Sequence, residues 1–358
     1  MAKTKAPKKG GKRTQHKRTK KHSPLMWVVI GIVVAIAVVT FLFLRNNRLS
    51  ISEEVRLYIP TGSCYEAVCD TLTVHNCMPN KMLFATLAKL RSYPSHVKSG
   101  SYVVEPGTNV VALFMKLYRG NQDALRITIG KYRLVGDLCA YLGNKLEFSS
   151  DSLECLLKDS EVCAAYGHTP ASILGLFPKN TYECYWNISP RRFLDKMLTE
   201  SNRFWNEKRL SQCEKLGMTP NEVLTLASIV DEETNQNDEK DLVASVYLNR
   251  LKKGMLLQAD PTLKYAAGDF TLRRILNKHM EIESPYNTYK YKGLPPGPIC
   301  IPATSSIDAV LANRQTSYLY FCAKEDFSGH HNFAATLSEH NHNAAKFHAA
   351  LNERKIYK

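Results

Sequence analysis

Three consecutive acids, Asp231, Glu232 and Glu233, close an apolar run that reads as one helix, and the helical wheel makes them unequal. Thr219 is a good N-cap, Pro220 suits the first helical position and Glu222 completes a capping box, so the helix starts there. Its apolar stripe runs through Val223, Leu226, Ala227 and Val230. Glu233 falls beside that stripe, one turn after Ile229 and Val230, whereas Glu232 points to the opposite, solvated side and Asp231 to the other border, near Leu224 and Ala227. A carboxyl held against apolar side chains has its pKa raised by desolvation, which a general acid needs to carry a proton near neutral pH. Read alone, three acids near a helix C-terminus are also what a solvated helix end looks like.

Further polar groups cluster downstream. The next helix, Asp238 to Lys253, buries Leu242, Val243, Val246, Tyr247 and Leu251, is stopped by Gly254, and reads as scaffold with a polar edge. Then Gln258, Asp260 and Thr262 bring an amide, a carboxylate and a hydroxyl into one turn, and Tyr286, Asn287 and Tyr289 form a second polar and aromatic group. Both suit sugar hydroxyl and acetamido groups, and loop structure explains them equally well, since Asn and Pro-rich turns often bond their own backbone. Leu294-Pro295-Pro296-Gly297-Pro298 is rigid and apolar and reads as a cleft wall. His330, His331, His340, His342 and His348 invite a metal reading, but no His-Glu-x-x-His is present. No metal and no cofactor are expected.

These groups must be positioned by a chain of 358 residues, long enough for two modest domains. The net charge of +15 suggests a nucleic-acid binder until its location is considered. Ten lysines and arginines between Lys3 and Lys21 precede any acidic residue. Immediately afterwards Leu25 to Leu44 is an uncharged apolar stretch of about 20 residues, enough for a helix to span about 30 Å of bilayer. It is longer than a signal-peptide core and lacks a small-x-small cleavage site, so an uncleaved anchor is expected over a cleaved signal. By the positive-inside rule residues 1–24 form a cytoplasmic tail, residues 25–44 the transmembrane helix, and everything after Arg48 is exported. Lipid headgroups and topology account for the basic tail, and no nucleic-acid partner is expected. All ten cysteines, Cys64 to Cys322, fall in the exported part, where disulfides persist; their pairing is open, with buried free thiols the alternative.

Between Leu57 and Gly143 a pattern of β-type run, Gly turn and amphipathic helix recurs, at Leu57–Leu72, Tyr102–Leu117 and Ile127–Leu142, with another helix from Asn80 to Leu90. Such units make a small α+β module that pairs its strands and covers one face with helices. Lys98-Ser99-Gly100-Ser101-Tyr102 with Pro106-Gly107 resembles the LysM-like segment of certain envelope enzymes, implying glycan binding; a spacer is the alternative. The expected organisation is α+β throughout: a LysM-like module over residues 49–148 and a mixed α+β catalytic domain over residues 149–358. In the latter, the aromatic loop Gly175–Tyr182 offers either sugar stacking or core packing.

Several motifs occur in register: Ala227-Ser228-Ile229-Val230 with Glu233-Thr234, Val243-Ala244-Ser245-Val246 with Asn249-Arg250-Leu251, and Gln258 with Asp260-Pro261-Thr262. Ser284 to Tyr289, Gly293 to Ile299, Tyr318 to Phe321, and His331 through Phe333 to Glu339-His340-Asn341 follow. Together they resemble the catalytic domain of the MltG/YceG endolytic peptidoglycan transglycosylases. The chain departs from that family at Asp231, where Glu is usual, at Lys179-Asn180, and at Ile301-Pro302-Ala303. The resemblance implies a lytic transglycosylase of the inner membrane with a periplasmic catalytic domain. In it Glu233 protonates the glycosidic oxygen between N-acetylmuramic acid and N-acetylglucosamine, then helps the muramyl 6-hydroxyl close a 1,6-anhydro ring. Gln258, Asp260, Thr262, Tyr286, Asn287, Tyr289 and His331 are its implied glycan-binding residues; glycan strands, the membrane and peptidoglycan synthases are its implied partners. A water-using muramidase, with Asp231 or Asp260 directing water, and a non-catalytic glycan-binding scaffold remain as alternatives at this point.

Overall fold

A computed structural model describes residues 2, 24–272 and 275–354. The basic tail read as a topology signal lies outside the described residues. Helix α1 (Pro24–Asn46) contains a 19-residue stretch, Leu25–Phe43, long and apolar enough to cross a membrane, and side chains such as Trp27, Ile32 and Phe41 are exposed along it.

The three strand–turn–helix repeats are present. They are β1 (Val55–Ile59) with α2 (Tyr65–Val74), β2 (Gly100–Val104) with α4 (Val110–Arg119), and β3 (Leu125–Thr128) with α5 (Val135–Gly143); α3 (Lys81–Leu90), capped by the Asn80 side chain, lies between the first two. The remaining elements are α6 (Ser150–Lys158), α7 (Ser160–Ala165), β4 (Thr181–Cys184), α8 (Pro190–Phe204), α9 (Glu207–Leu216), α10 (Pro220–Glu233), α11 (Lys240–Lys252), α12 (Asp260–Ala267), α13 (Asn277–Met280), α14 (Thr304–Ala312), β5 (Tyr320–Ala323), β6 (His331–Ala334) and α15 (Leu337–Glu353). The class is mixed α+β, as the sequence predicts, with helices dominant and the strands in two-stranded sheets β1–β2, β3–β4 and β5–β6.

The strand pairing runs across residue 148, where the sequence suggests a domain boundary. β3 does not join the first two repeats; it pairs antiparallel with β4, Ile127 opposite Tyr182. Accordingly, one compact unit takes the described residues to Leu57 with Cys64–Val97 and Val104–Arg119, and the other takes Tyr58–Ser63, Lys98–Val103 and the described residues from Gly120 onward. The first has an aromatic centre of Tyr65, Phe84, Tyr93 and Phe114, where Phe84 and Phe114 meet edge to face at 5.5 Å. Within the second, one core joins Ile127, Leu138 and Leu142 to Leu153, Leu157, Phe177, Tyr182 and Phe193, so apolar side chains on both sides of residue 148 bury one another. Phe177 and Tyr182 therefore resolve the aromatic loop as core packing.

The other core of that unit is built around α10. Val223, Leu226, Ile229 and Val230 pack with Val243 and Tyr247 of α11 and with Ile307 and Val310 of α14. None of the ten cysteines is in a disulfide, and Cys77, Cys139, Cys163, Cys184, Cys213 and Cys300 are buried thiols.

Candidate active site

The local sequence fixes both ends of α10. At the start, Thr219 Oγ1 accepts from the Glu222 N–H, while the Glu222 carboxylate accepts from the Thr219 N–H at 2.7 Å, which is the capping box read from the sequence. At the end, Thr234 is the C-cap, and its hydroxyl donates to Glu239 Oε1 at 2.8 Å. Glu239, buried, also accepts from the His331 N–H at 3.0 Å and bonds His331 Nδ1 at 2.7 Å. The last turn of α10 is thereby held by groups from the segment before α11 and from β6.

The three acids of that turn have separate surroundings. Asp231 is buried, 3.0 Å from Lys240 Nζ and 3.2 Å from Lys131 Nζ, and it accepts from Ser306 Oγ at 2.6 Å. Burial alone would push its pKa up, but the Ser306 hydrogen bond and the two lysines outweigh that and hold it below the ordinary carboxylate value. Glu232 is not on a solvated side as the wheel suggests. Lys131 and Arg133, from the loop after β3, cover it at 3.0 and 2.8 Å and leave its side chain 13% exposed. Glu233 instead accepts a 2.5 Å hydrogen bond on Oε1 from the Tyr247 hydroxyl. Burial pushes its pKa up; the Tyr247 hydrogen bond and Lys264 oppose this and the Asp260 charge reinforces it, leaving it at about 7.

Glu233 opens onto a cleft of about 370 Å³ that Gln258, Asp260 and Tyr289 also line. Asp260 starts α12, and its Oδ1 accepts from the Tyr289 hydroxyl at 2.5 Å. Gln258 sits at φ +51°, a left-handed conformation that non-glycine residues rarely adopt, held by its N–H to Thr288 O and by Arg250 on its side-chain oxygen.

Other expected site residues do structural work. Thr262, fully buried, donates to Ala259 O at 2.7 Å and bonds Thr288 Oγ1 at 2.8 Å. Asn287, also fully buried, donates to Met280 O and Ile282 O and accepts from the Tyr289 N–H, which ties the loop to itself. Tyr286 packs its ring 4.5 Å from that of Tyr265. His331 meets Phe321 edge to face at 5.2 Å, one layer behind the cleft lining. The proline-rich segment, expected as a cleft wall, packs elsewhere: Gly297 lies against the Ala171 backbone, where a Cβ would collide, and the Ile299 N–H donates to Ser228 Oγ of α10.

The sequence reading missed Tyr247, Arg250, Tyr320, Phe321 and His340, which also line the cleft. Tyr247 and Arg250 are three apart on α11 and so share a face, and that spacing was the available signal. Arg250 donates to the backbone carbonyls of Leu319 and Leu257 at 2.7 and 2.8 Å and lies 5.2 Å from the Tyr320 ring. His340 stacks on Tyr320 at 5.4 Å, and burial, followed by the Arg250 charge, lowers its pKa; its Nδ1 is buried without a protein partner. Among the described residues, no group of three or more His, Cys, Asp or Glu is placed to hold a metal ion.

This mixed α+β fold ends a buried helix in one carboxyl of raised pKa at a tyrosine-lined cleft, an arrangement able to give and take a proton near neutral pH. The model of the YceG-like family matches residues 57–346, and the chain belongs to that family. It is 31% identical over 315 residues to the endolytic murein transglycosylase of Bacillus subtilis strain 168, covering 84% of this chain and 86% of that protein. It is 25% identical over 323 residues to a protein of the same name from Streptococcus pneumoniae serotype 2 strain D39, of which it spans 58%. The crystal structure of a YceG-like protein from Listeria monocytogenes superposes with a TM-score of 0.55 at 27% identity, covering 82% of this chain and 99% of that one.

Proposed function

We propose that this protein is a membrane-anchored endolytic lytic transglycosylase that cuts peptidoglycan strands between N-acetylmuramic acid and N-acetylglucosamine. Glu233 gives its proton to the glycosidic oxygen as the bond to the muramyl anomeric carbon breaks. The muramyl 6-hydroxyl then bonds to that carbon, its proton passes to the Glu233 carboxylate, and a 1,6-anhydro end results. No water is consumed, because the nucleophile is part of the substrate.

The observation that carries this reading is the inequality of the acids. A two-carboxylate glycosidase needs a second free carboxylate beside the acid. Asp231 and Glu232 are ion-paired, while Glu233 has its pKa moved to about 7; Asp260, the other carboxyl lining the cleft, accepts from the Tyr289 hydroxyl as Glu233 does from Tyr247, so the ends of the product are what distinguish it from a water-directing base. Names of the relatives support the substrate class.

Gln258, Asp260 and Tyr289 are the glycan-positioning groups in this account. The helix Leu25–Phe43 is the anchor, oriented with the basic tail in the cytoplasm and the catalytic unit in the periplasm, where it works beside peptidoglycan synthases. The LysM-like repeats ahead of Gly120 bind or space the glycan. Incubating the full chain in detergent micelles with purified peptidoglycan, beside Glu233→Gln, tests the reading: anhydro-muramyl ends from the unmodified protein alone are expected, and reducing ends would move it to the hydrolases.

A further inference from the structure

Tyr247 has no part in the reaction described above, yet it makes the closest polar contact to the acid. It lies in the middle of α11, nearly fully buried, and meets Phe321 edge to face at 5.9 Å. Its helix is pinned to the segment leading into β5, because Asn249 Nδ2 donates to Thr316 O and Tyr318 O, and Arg250 donates to Leu319 O. A phenol on so constrained a ring keeps its hydroxyl at one point in space. The terminal torsion of a glutamate is broad and two-fold, so a carboxyl with both oxygens free exchanges them readily. A donor fixed on one oxygen removes that symmetry.

Resting on the reading of Glu233 as the acid, we propose that Tyr247 is a positioning residue: it engages Oε1 of Glu233 and dedicates Oε2 to carrying the proton to and from the substrate. Through the cycle the Tyr247 hydrogen stays on the phenol. Burial and the Glu233 charge push that phenol well above its ordinary pKa, so it remains a donor to either form of the acid. Donation to the carboxylate favours ionisation and opposes the desolvation that alone would hold Glu233 protonated. Glu233 can then both give up the proton and recover it. The other titratable or charged groups facing this pair are Asp260 and Lys264 of α12, Glu232 of α10, Arg250 of α11, Tyr289, and His340 of α15.

The test is the pH profile of kcat/KM for Tyr247→Phe in the full chain, with the melting point confirming that it folds. Phenylalanine keeps the ring packing and removes only the donor. Loss of one charge-assisted hydrogen bond is expected to move the alkaline limb upward by about one unit. A less well-held carboxyl lowers kcat on the order of tenfold with KM near that of the unmodified protein. If Tyr247→Phe does not fold, fluorotyrosine placed at position 247, a stronger donor of the same shape, is expected to move the limb downward. A limb that stays in place in the variant measured overturns the proposal, and if Glu233→Gln is inactive at the same time, the function itself stands. Cleavage by Glu233→Gln would overturn both.

Discussion

Replacing Glu233 by glutamine tests the electrostatics of the cleft without any substrate. In the folded protein this carboxyl is moved from 4.5 to about 7, chiefly by burial. Between those two values the folded state keeps a proton that the unfolded chain has released, so native stability falls as pH rises through this window. At about 1.4 kcal/mol per pH unit, the full cost above pH 7 is about 3 kcal/mol, of which about 2.5 develops between pH 5 and pH 8. Glutamine, nearly the same shape, does not titrate. Urea unfolding of both full chains in the same micelles at pH 5 and pH 8 should therefore show Glu233→Gln gaining about 2 to 3 kcal/mol on the unmodified protein as pH rises. A stability difference that stays constant, or that moves in favour of glutamate at high pH, would refute the argument that burial dominates at this site.

Two neighbours give predictions of different kinds. The Asp260 charge raises the Glu233 pKa, so Asp260→Asn should shift the alkaline limb of the kcat/KM profile to lower pH, opposite to Tyr247→Phe. Asp231→Asn leaves the buried Lys240 ammonium without its counter-ion, and denaturant unfolding should register a loss of about 3 to 5 kcal/mol.

The parts of this structure that the sequence made legible are local ones. The capping box at Thr219 and Glu222 needs four residues, and the three strand–turn–helix repeats each need fewer than twenty, so periodicity and turn chemistry reached them. Glu233 was legible for the same reason, since its place beside the apolar stripe follows from the pitch of one helix. Pairing between distant segments was not legible. Nothing near β3 announces that it pairs with β4, and the cations that cover Glu232, Lys131 and Arg133, lie about a hundred residues upstream. Family motifs located Thr262 and Asn287 but did not show that their side chains turn inward to Thr288 and to the Met280 and Ile282 carbonyls. Tyr247 was read as core because a helix face that lines a cleft floor is as apolar in sequence as one packed in the interior.

The claim that the cut consumes no water is tested most directly by digesting purified peptidoglycan with the full chain in water enriched in heavy oxygen and weighing the new muramyl ends. The account predicts ends one water lighter than a reducing sugar and carrying no heavy oxygen, all of them absent with Glu233→Gln. Ends at the full reducing mass, with one heavy oxygen each, would contradict it and would mean that Glu233 serves a hydrolase.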